Sequence, residues 1–331
     1  MRTALYWHLR EDGTVQCDLC PHRCVVREGG QGLCGARGLR GGELRALGYG
    51  AISSAHIDPI EKKPLYHYYP GGRIFSIGGW GCNLGCLFCQ NWGISQEVHL
   101  ESGARSSPDD VARAAGERGS VGVAYTYNEP LVGFEFVLAC ARAVRAAGHK
   151  NVLVTNGFIN TGPAAELLPW IDALNIDIKS MDESFYRSQC KGSLAPVLHF
   201  VEQAAKMKCH VEITNLLIPG LNDAEGQLDR LARWVAEHLG RRTPLHLSAY
   251  RPEYRCSLPA TPVEVLHRAH AACAQHLLHV YLGNVVTATG QNTRCPDCGS
   301  TWIRRSGYSV DVCGIRNGTC ASCERETGVI L

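Results

Sequence analysis

At 331 residues, 45% hydrophobic and 19% charged, the chain has material for a sizeable core and is too apolar for a mainly disordered protein. A formal net charge of +2 leaves no global electrostatic footprint for nucleic acid or an anionic membrane. The start MRTALYWHLREDG lacks an apolar h-region, so no secretory signal is expected; the charge-free stretch 74–96 contains Asn83, Gln90, Asn91 and three cysteines and would span a membrane poorly.

Residues 1–45 form a Gly- and Cys-rich module too small to bury much apolar surface alone. Residues 46–73, with DPIEKKPLYHYYPGG, form an approach segment. From residue 74 onward, β-type runs alternate with helical patterns: RIFSIG, VGVAYTY, NVLVTN, ALNIDI, CHVEITN, PLHLSAY and HVYLGNV. The intervening helices include SSPDDVARAAGERG, with Ser107 as N-cap before Pro108. Seven strands and six β-then-α units result, and the strands are apolar nearly throughout, as a parallel sheet requires. The fold class is therefore α/β, a partial six-unit TIM-type barrel over residues 46–286. Its chemistry is expected beyond the carboxyl ends of the strands. Residues 287–331 form a second small module.

Eleven of the 17 cysteines fall into three tight groups. Short spacings in an enzyme-sized chain read as metal sites before disulfides, and imply a reducing cytoplasm. GWGCNLGCLFCQN supplies Cys82, Cys86 and Cys89 at C-x3-C-x2-C spacing directly after the first strand. Three thiolates this close can hold three corners of an iron-sulfur cube. The next cysteine, Cys140, falls inside a predicted helix, so one iron is left open to an external chelate.

This motif, with Phe88 as the aromatic residue before its last cysteine, resembles the radical SAM superfamily. The resemblance implies a 4Fe-4S cluster on Cys82, Cys86 and Cys89. It further implies S-adenosylmethionine (SAM) bound to the open iron, reductive cleavage to methionine and a 5′-deoxyadenosyl radical, and hydrogen abstraction from a substrate it does not name. TYNEP places Asn128 and Glu129 where the superfamily receives the methionine amine; the usual double glycine is absent. TNGF, DIK and IPGLND resemble strand ends of pyruvate formate-lyase activating enzymes. By that resemblance Phe88 and Ile218 flank the adenine, while Asn156, Asp177 and Lys179 position the ribose or carboxylate. Val154 and Arg251 stand where those activating enzymes commonly have Asp and His. A closer resemblance, to the radical SAM enzyme of the AmmeMemoRadiSam system, rests on CDLCPHRC, DPIEKKPLYHYYPGG, GCNLGCLFCQNWGISQ, YTYNEP, HVYLGNV and CPDCG with CASCERETGV. It implies Memo-type and AMMECR-type companions. Radical SAM chemistry also implies an electron donor of flavodoxin or ferredoxin type.

The N-terminal Cys17, Cys20, Cys24 and Cys34 stand at C-x2-C-x3-C-x9-C spacing. Four soft ligands suit either zinc or a closed iron-sulfur cluster, which could relay electrons. Cys295, Cys298, Cys320 and Cys323 have near-zinc-ribbon spacing and point to structural zinc, with Cys313 able to replace one ligand. The modest basic patch there makes nucleic acid an improbable partner. Cys140, Cys209 and Cys273 read as small buried hydrophobes, whereas Cys190 and Cys256 fall in loops and could be reactive. Tyr66, Tyr68 and Tyr69 are expected to pack the approach segment over the barrel, with Tyr66 and His67 as candidates for the substrate mouth. His246 reads as a structural histidine. Two other readings remain: an activase that installs a glycyl radical on a partner, and a non-catalytic metal-binding adaptor.

Overall fold

The computed structural model describes residues 2–102 and 104–331. Its centre is an eight-stranded sheet paired in sequence order: β1 (Ser54–Pro59), β2 (Arg73–Gly78), β3 (Gly122–Tyr125), β4 (Lys150–Thr155), β5 (Ala173–Asp177), β6 (His210–Leu217), β7 (Leu245–Ala249) and β8 (Val280–Gly283). The seven strands β2–β8 run parallel and correspond to the seven expected runs. Their residues are buried almost without alternation, Val123, Val152, Leu153, Leu174, Ile213 and Leu247 all being inaccessible, because the sheet is covered on both faces.

Six helices follow the successive parallel strands: α1 (Pro108–Glu117), α2 (Phe134–Ala146), α3 (Thr161–Leu167), α4 (Leu194–Lys206), α5 (Glu225–His238) and α6 (Val263–Cys273). At the start of α1, Ser107 accepts from the Asp110 amide while the Asp110 carboxylate accepts from the Ser107 amide, a reciprocal cap, and Pro108 occupies the first turn. The sheet does not close, since β8 and β1 are its two edges.

The strand β1 was not anticipated. It runs antiparallel on β2, with Ser54 opposite Gly78 and Pro59 opposite Arg73, and so carries the chain from the carboxyl end of β2 back to its amino end. The approach segment consequently lies beneath the barrel, not at its mouth. There the buried Glu212 carboxylate near the start of β6 accepts from the Tyr66 amide (2.9 Å) and the His67 amide (2.7 Å). His246 sits 2.6 Å from the same carboxylate and is a satisfied structural histidine. Tyr66 and His67 therefore belong to the floor, a correction to their candidacy for the substrate mouth.

The C-terminal module closes this floor from outside. Its sheet of Thr293–Arg294, Thr301–Ser306 and Ser309–Val312 surrounds the fully buried Trp302. Arg305 donates to the Tyr66 carbonyl at 2.7 Å, and Ile330 donates to the His67 carbonyl at 2.9 Å. The N-terminal module is two small three-stranded sheets, tied to α2 by a buried ion pair between Arg37 and Glu135 at 3.1 Å. No helix among the described residues is long and apolar enough to cross a membrane.

Candidate active site

A cavity of about 530 Å³ opens at the carboxyl ends of the parallel strands, and Cys82, Cys86 and Cys89 all line it. The loop that carries them leaves β2 and is fixed from several sides. Asn128 accepts from the Gly79 amide at 2.8 Å and donates to the Gly81 carbonyl at 2.9 Å. The Gly85 amide donates to the Cys190 carbonyl and the Leu87 amide to the Gln189 carbonyl. Gly81 has φ +88°, and a Cβ there would lie 2.1 Å from the Cys34 carbonyl oxygen. Glycine is thus what lets this loop abut the N-terminal module.

As free thiols the three cysteines differ. Burial pushes Cys82 up, reinforced by Glu129 and Cys86. Burial also raises Cys89, although Ser95 opposes it through a hydrogen bond. Cys86 is lowered, chiefly by the neighbouring Cys190 thiol, which is itself raised. Cys190 ends a helical turn over Tyr186–Cys190 and is fully buried, a correction to its expected place in a loop as a reactive thiol. Its place beside Cys86 is a neighbour that the sequence reading missed, and no local signal could have shown it.

The other expected site residues gather round the same cavity with one exception. Phe88, Asn128, Glu129, Asn156, Asp177 and Lys179 line it. Ile218 does not: it is inaccessible, its amide held at 2.7 Å by the Asn222 side chain as the chain turns toward Gly220. Leu216, one strand period earlier, faces the cavity instead. Glu129 accepts from Thr155 (2.7 Å), Leu131 N (3.0 Å) and Asn156 N (2.8 Å). Burial nevertheless raises its carboxyl to about 7. The Asn156 side-chain Nδ2 donates to Asn83 Oδ1 at 3.0 Å and toward Cys82 Sγ at 3.6 Å. Lys179 and Asp177 pair at 2.7 Å; burial opposes the lysine charge, but Asp177 and Cys86 outweigh it and its pKa is raised. Val154 also lines the cavity.

The remaining cysteines form two further centres of different build. Cys295, Cys298, Cys320 and Cys323 bring their sulfurs within 4.8 Å of one another, the only such group of ligand atoms among the described residues, and could hold a metal ion. Cys313 stands apart, its thiol directed at backbone carbonyls of Thr301 and Trp302, a correction to its expected ability to replace a ligand. Cys17, Cys20, Cys24 and Cys34 line one void with Leu19, Val26, Leu44 and Arg37, without closing to that tight spacing.

The Radical SAM superfamily model matches residues 77–232, from the end of β2 into α5. The uncharacterized protein MJ0808 of Methanocaldococcus jannaschii is 40% identical over 336 residues, covering 100% of both chains. The chain belongs to the Radical SAM superfamily. This radical SAM enzyme is also 26% identical to pyruvate formate-lyase 1-activating enzyme of Escherichia coli K12 over 190 residues, which cover 55% of this chain and 75% of that one. Among solved structures, a radical SAM methyltransferase from Sphaerobacter thermophilus matches with TM-score 0.48 and 16% identity over 90% of this chain and 80% of that one.

Proposed function

We propose that Cys82, Cys86 and Cys89 hold a 4Fe-4S cluster with one open iron and that SAM binds beside it in the barrel cavity. The observation carrying this reading is that three thiols, and no closed set of four, face a cavity at the strand carboxyl ends. Their spacing supports it. A single tetrahedral zinc with Zn–S near 2.3 Å draws its sulfurs to about 3.8 Å, and these three are not mutually within 4.8 Å. When bound, the cluster and SAM supply reductive cleavage to methionine and a 5′-deoxyadenosyl radical able to abstract a substrate hydrogen.

The residues of the chain position and shield. Glu129 receives the methionine amine, and its high pKa without that cation reflects a buried carboxylate lacking a counter-charge. Asp177 and Lys179 orient the ribose or carboxylate, and Phe88 packs beside the adenine. Asn156 donates to Cys82, while Asn128 braces the loop backbone and does not reach out with a free amide. Barrel walls exclude water from the reacting centre.

The same reading gives the flanking groups different metals. Zinc at Cys295, Cys298, Cys320 and Cys323 is supported by sulfur separations of 3.5 Å (Cys295 to Cys323) and 3.8 Å (Cys298 to Cys320). At Cys17, Cys20, Cys24 and Cys34 the wider cage favours a second iron-sulfur cluster over zinc. Arg37 supports this too: it is buried at the void, and its Nε and Nη1 have no partner among the described residues, so it offers unfilled N–H donors to an anionic group. The chain then divides into modules 1–45, 46–286 and 287–331, works in a reducing cytoplasm, and draws electrons from a flavodoxin- or ferredoxin-type donor. The long sequence resemblances support a place in the AmmeMemoRadiSam system, with Memo-type and AMMECR-type companions. A glycyl-radical activase is the second reading, favoured by the identity to the activating enzymes. Val154 in the cavity wall, where those enzymes commonly have aspartate, and the two extra cysteine modules disfavour it.

Anaerobically reconstituted, reduced protein given SAM is expected to form 5′-deoxyadenosine, and Cys86→Ala is expected to form none. Equal formation by both would overturn the assignment. Metal analysis should return roughly eight iron and one zinc per chain.

A further inference from the structure

Lys62 and Lys63 have no part in the reading above, yet both line the same cavity as the three cysteines. The unanticipated strand β1 explains how. It delivers the chain to the amino ends of the barrel strands, where Ile60–Lys62 forms a 3-10 turn and the Lys63 amide closes onto the Ile60 carbonyl. The Pro64 carbonyl is then held at 2.8 Å by Asn175, two residues before Asp177 on β5. The cavity is therefore roofed by the cysteine loop and floored by this lysine pair.

The floor carries more positive than negative charge. Asp58 accepts from Lys62 Nζ at 2.9 Å and from Lys63 Nζ at 2.7 Å, and the Tyr127 hydroxyl donates to the same carboxylate. Two ammonium groups thus share one carboxylate. Each carries three N–H donors and spends one on Asp58. The side chain of Lys63 is only 2% exposed, its Nζ 4.4 Å from the Tyr127 ring centroid, while that of Lys62 is 48% exposed. The buried ammonium donors of Lys63 are costly when left unfilled, and the other carboxylates of the floor are engaged elsewhere, Glu212 by the Tyr66 and His67 amides and His246, and Glu61 by the Gly71 amide and Arg305. Lys179, nearer the cysteine loop, is already matched one to one by Asp177.

We propose that Lys62 and Lys63 are the substrate anchor and that the substrate carries an oxyanion, a carboxylate or a phosphate. It binds at the floor and presents its reacting hydrogen toward the cysteine end. The inference rests on the radical SAM reading for what occupies that other end. The oxyanion completes the charge balance that Asp58 leaves unfinished, and Tyr127 holds Asp58 in place between the two ammonium groups.

The test is calorimetric titration of the reconstituted, SAM-loaded protein with inorganic phosphate and, separately, with malonate. Saturable one-to-one binding of at least one is expected, and whichever binds more tightly identifies the oxyanion. Lys62→Gln should weaken it at least tenfold, and Lys62→Arg should retain most of it. Absence of saturable binding by the unaltered protein, or undiminished binding by Lys62→Gln, would overturn the proposal. So would a parallel loss of SAM affinity in Lys62→Gln, since the lysines would then serve the carboxylate of SAM itself. Failure of the radical SAM reading shows separately, as absence of 5′-deoxyadenosine from the unaltered protein whatever the anion titration gives.

Discussion

The two terminal cysteine groups have the same number of ligands and opposite architecture. The C-terminal four are drawn within 4.8 Å of one another, with Cys298 and Cys323 exposed. Strand pairings and turns of an otherwise thin module set that spacing. The N-terminal four surround a void with apolar walls and a buried arginine, against the loop of the barrel cysteines. Ligand type is therefore less informative than ligand separation: four thiolates converging on a point suit one ion, and four thiolates around a space suit a polyatomic cluster. Position carries the same message. The tight group braces the floor, whereas the wide group touches the active loop, with Cys34 against Gly81 and His22 Nε2 within 2.6 Å of the Asn83 carbonyl.

The sharpest way to break this contrast is to delete one ligand from each. Cys20→Ala is expected to lower iron from roughly eight to roughly four per chain and to leave zinc unchanged. Cys295→Ser is expected to remove the zinc, leave iron intact and unfold residues 287–331, because a structural zinc site contributes on the order of 10 kcal/mol to a module of this kind. Elemental analysis of each variant reads both outcomes. Zinc lost from Cys20→Ala would give both groups the same metal and end the comparison. Next in size is the joint between the wide group and the barrel. Arg37→Met strands the Glu135 carboxylate, which is buried with one oxygen already unpartnered, and should cost about 3–5 kcal/mol of stability in denaturant titration. Pairing it with Glu135→Leu should recover most of that. If Arg37 also balances a cluster, the single variant additionally loses iron at the N-terminal site while keeping its zinc.

Much of the barrel was legible because its signals are local. Seven apolar runs in order, and a capping box at Ser107, need no distant partner to be recognised. Cys82, Cys86 and Cys89 are legible for the same reason, lying within eight residues of chain. What escaped was made by partners far apart. SAHIDP is a strand because β2 accepts it on an open edge, and nothing within it forces the antiparallel sense. Tyr66 and His67 lie on the floor because Glu212, about 146 residues away, collects their amides. Ile218 was misplaced by one strand period, since the turn at Gly220 and the Asn222 side chain fold it under the loop. The cavity positions of Lys62 and Lys63 followed from the unseen strand.

The floor yields the next prediction, a pH dependence. Burial penalises the Glu212 charge, but hydrogen bonds from His210 and His246 outweigh it and hold the carboxyl well below its usual 4.5. A depressed carboxyl stabilises the fold above its unfolded value, and that stability is lost as pH falls below about 4.5 toward the folded value, by about 1.4 kcal/mol per pH unit for a single group. Glu212→Gln should flatten this slope in melts taken from pH 7 down to pH 3. An unchanged slope would move the acid sensitivity elsewhere.

The smallest expected effect concerns Cys190. Its buried thiol neighbours Cys86 and lowers it, and its backbone carbonyl holds the Gly85 amide at 2.8 Å, so a side-chain change leaves the backbone brace in place. Cys190→Ala removes one thiol beside Cys86, a polar contact of about 1 kcal/mol at most, and should not lower iron content, since the barrel site already has its three thiolates. Its effect should appear instead as easier loss of iron from the barrel site to a chelator, measured in Cys20→Ala protein so that only that site contributes. Loss of all the barrel iron from Cys190→Ala before any chelator is added would make Cys190 a fourth ligand. That would close the vertex on which SAM binding depends, and the barrel triad would then join the N-terminal four as a closed cage.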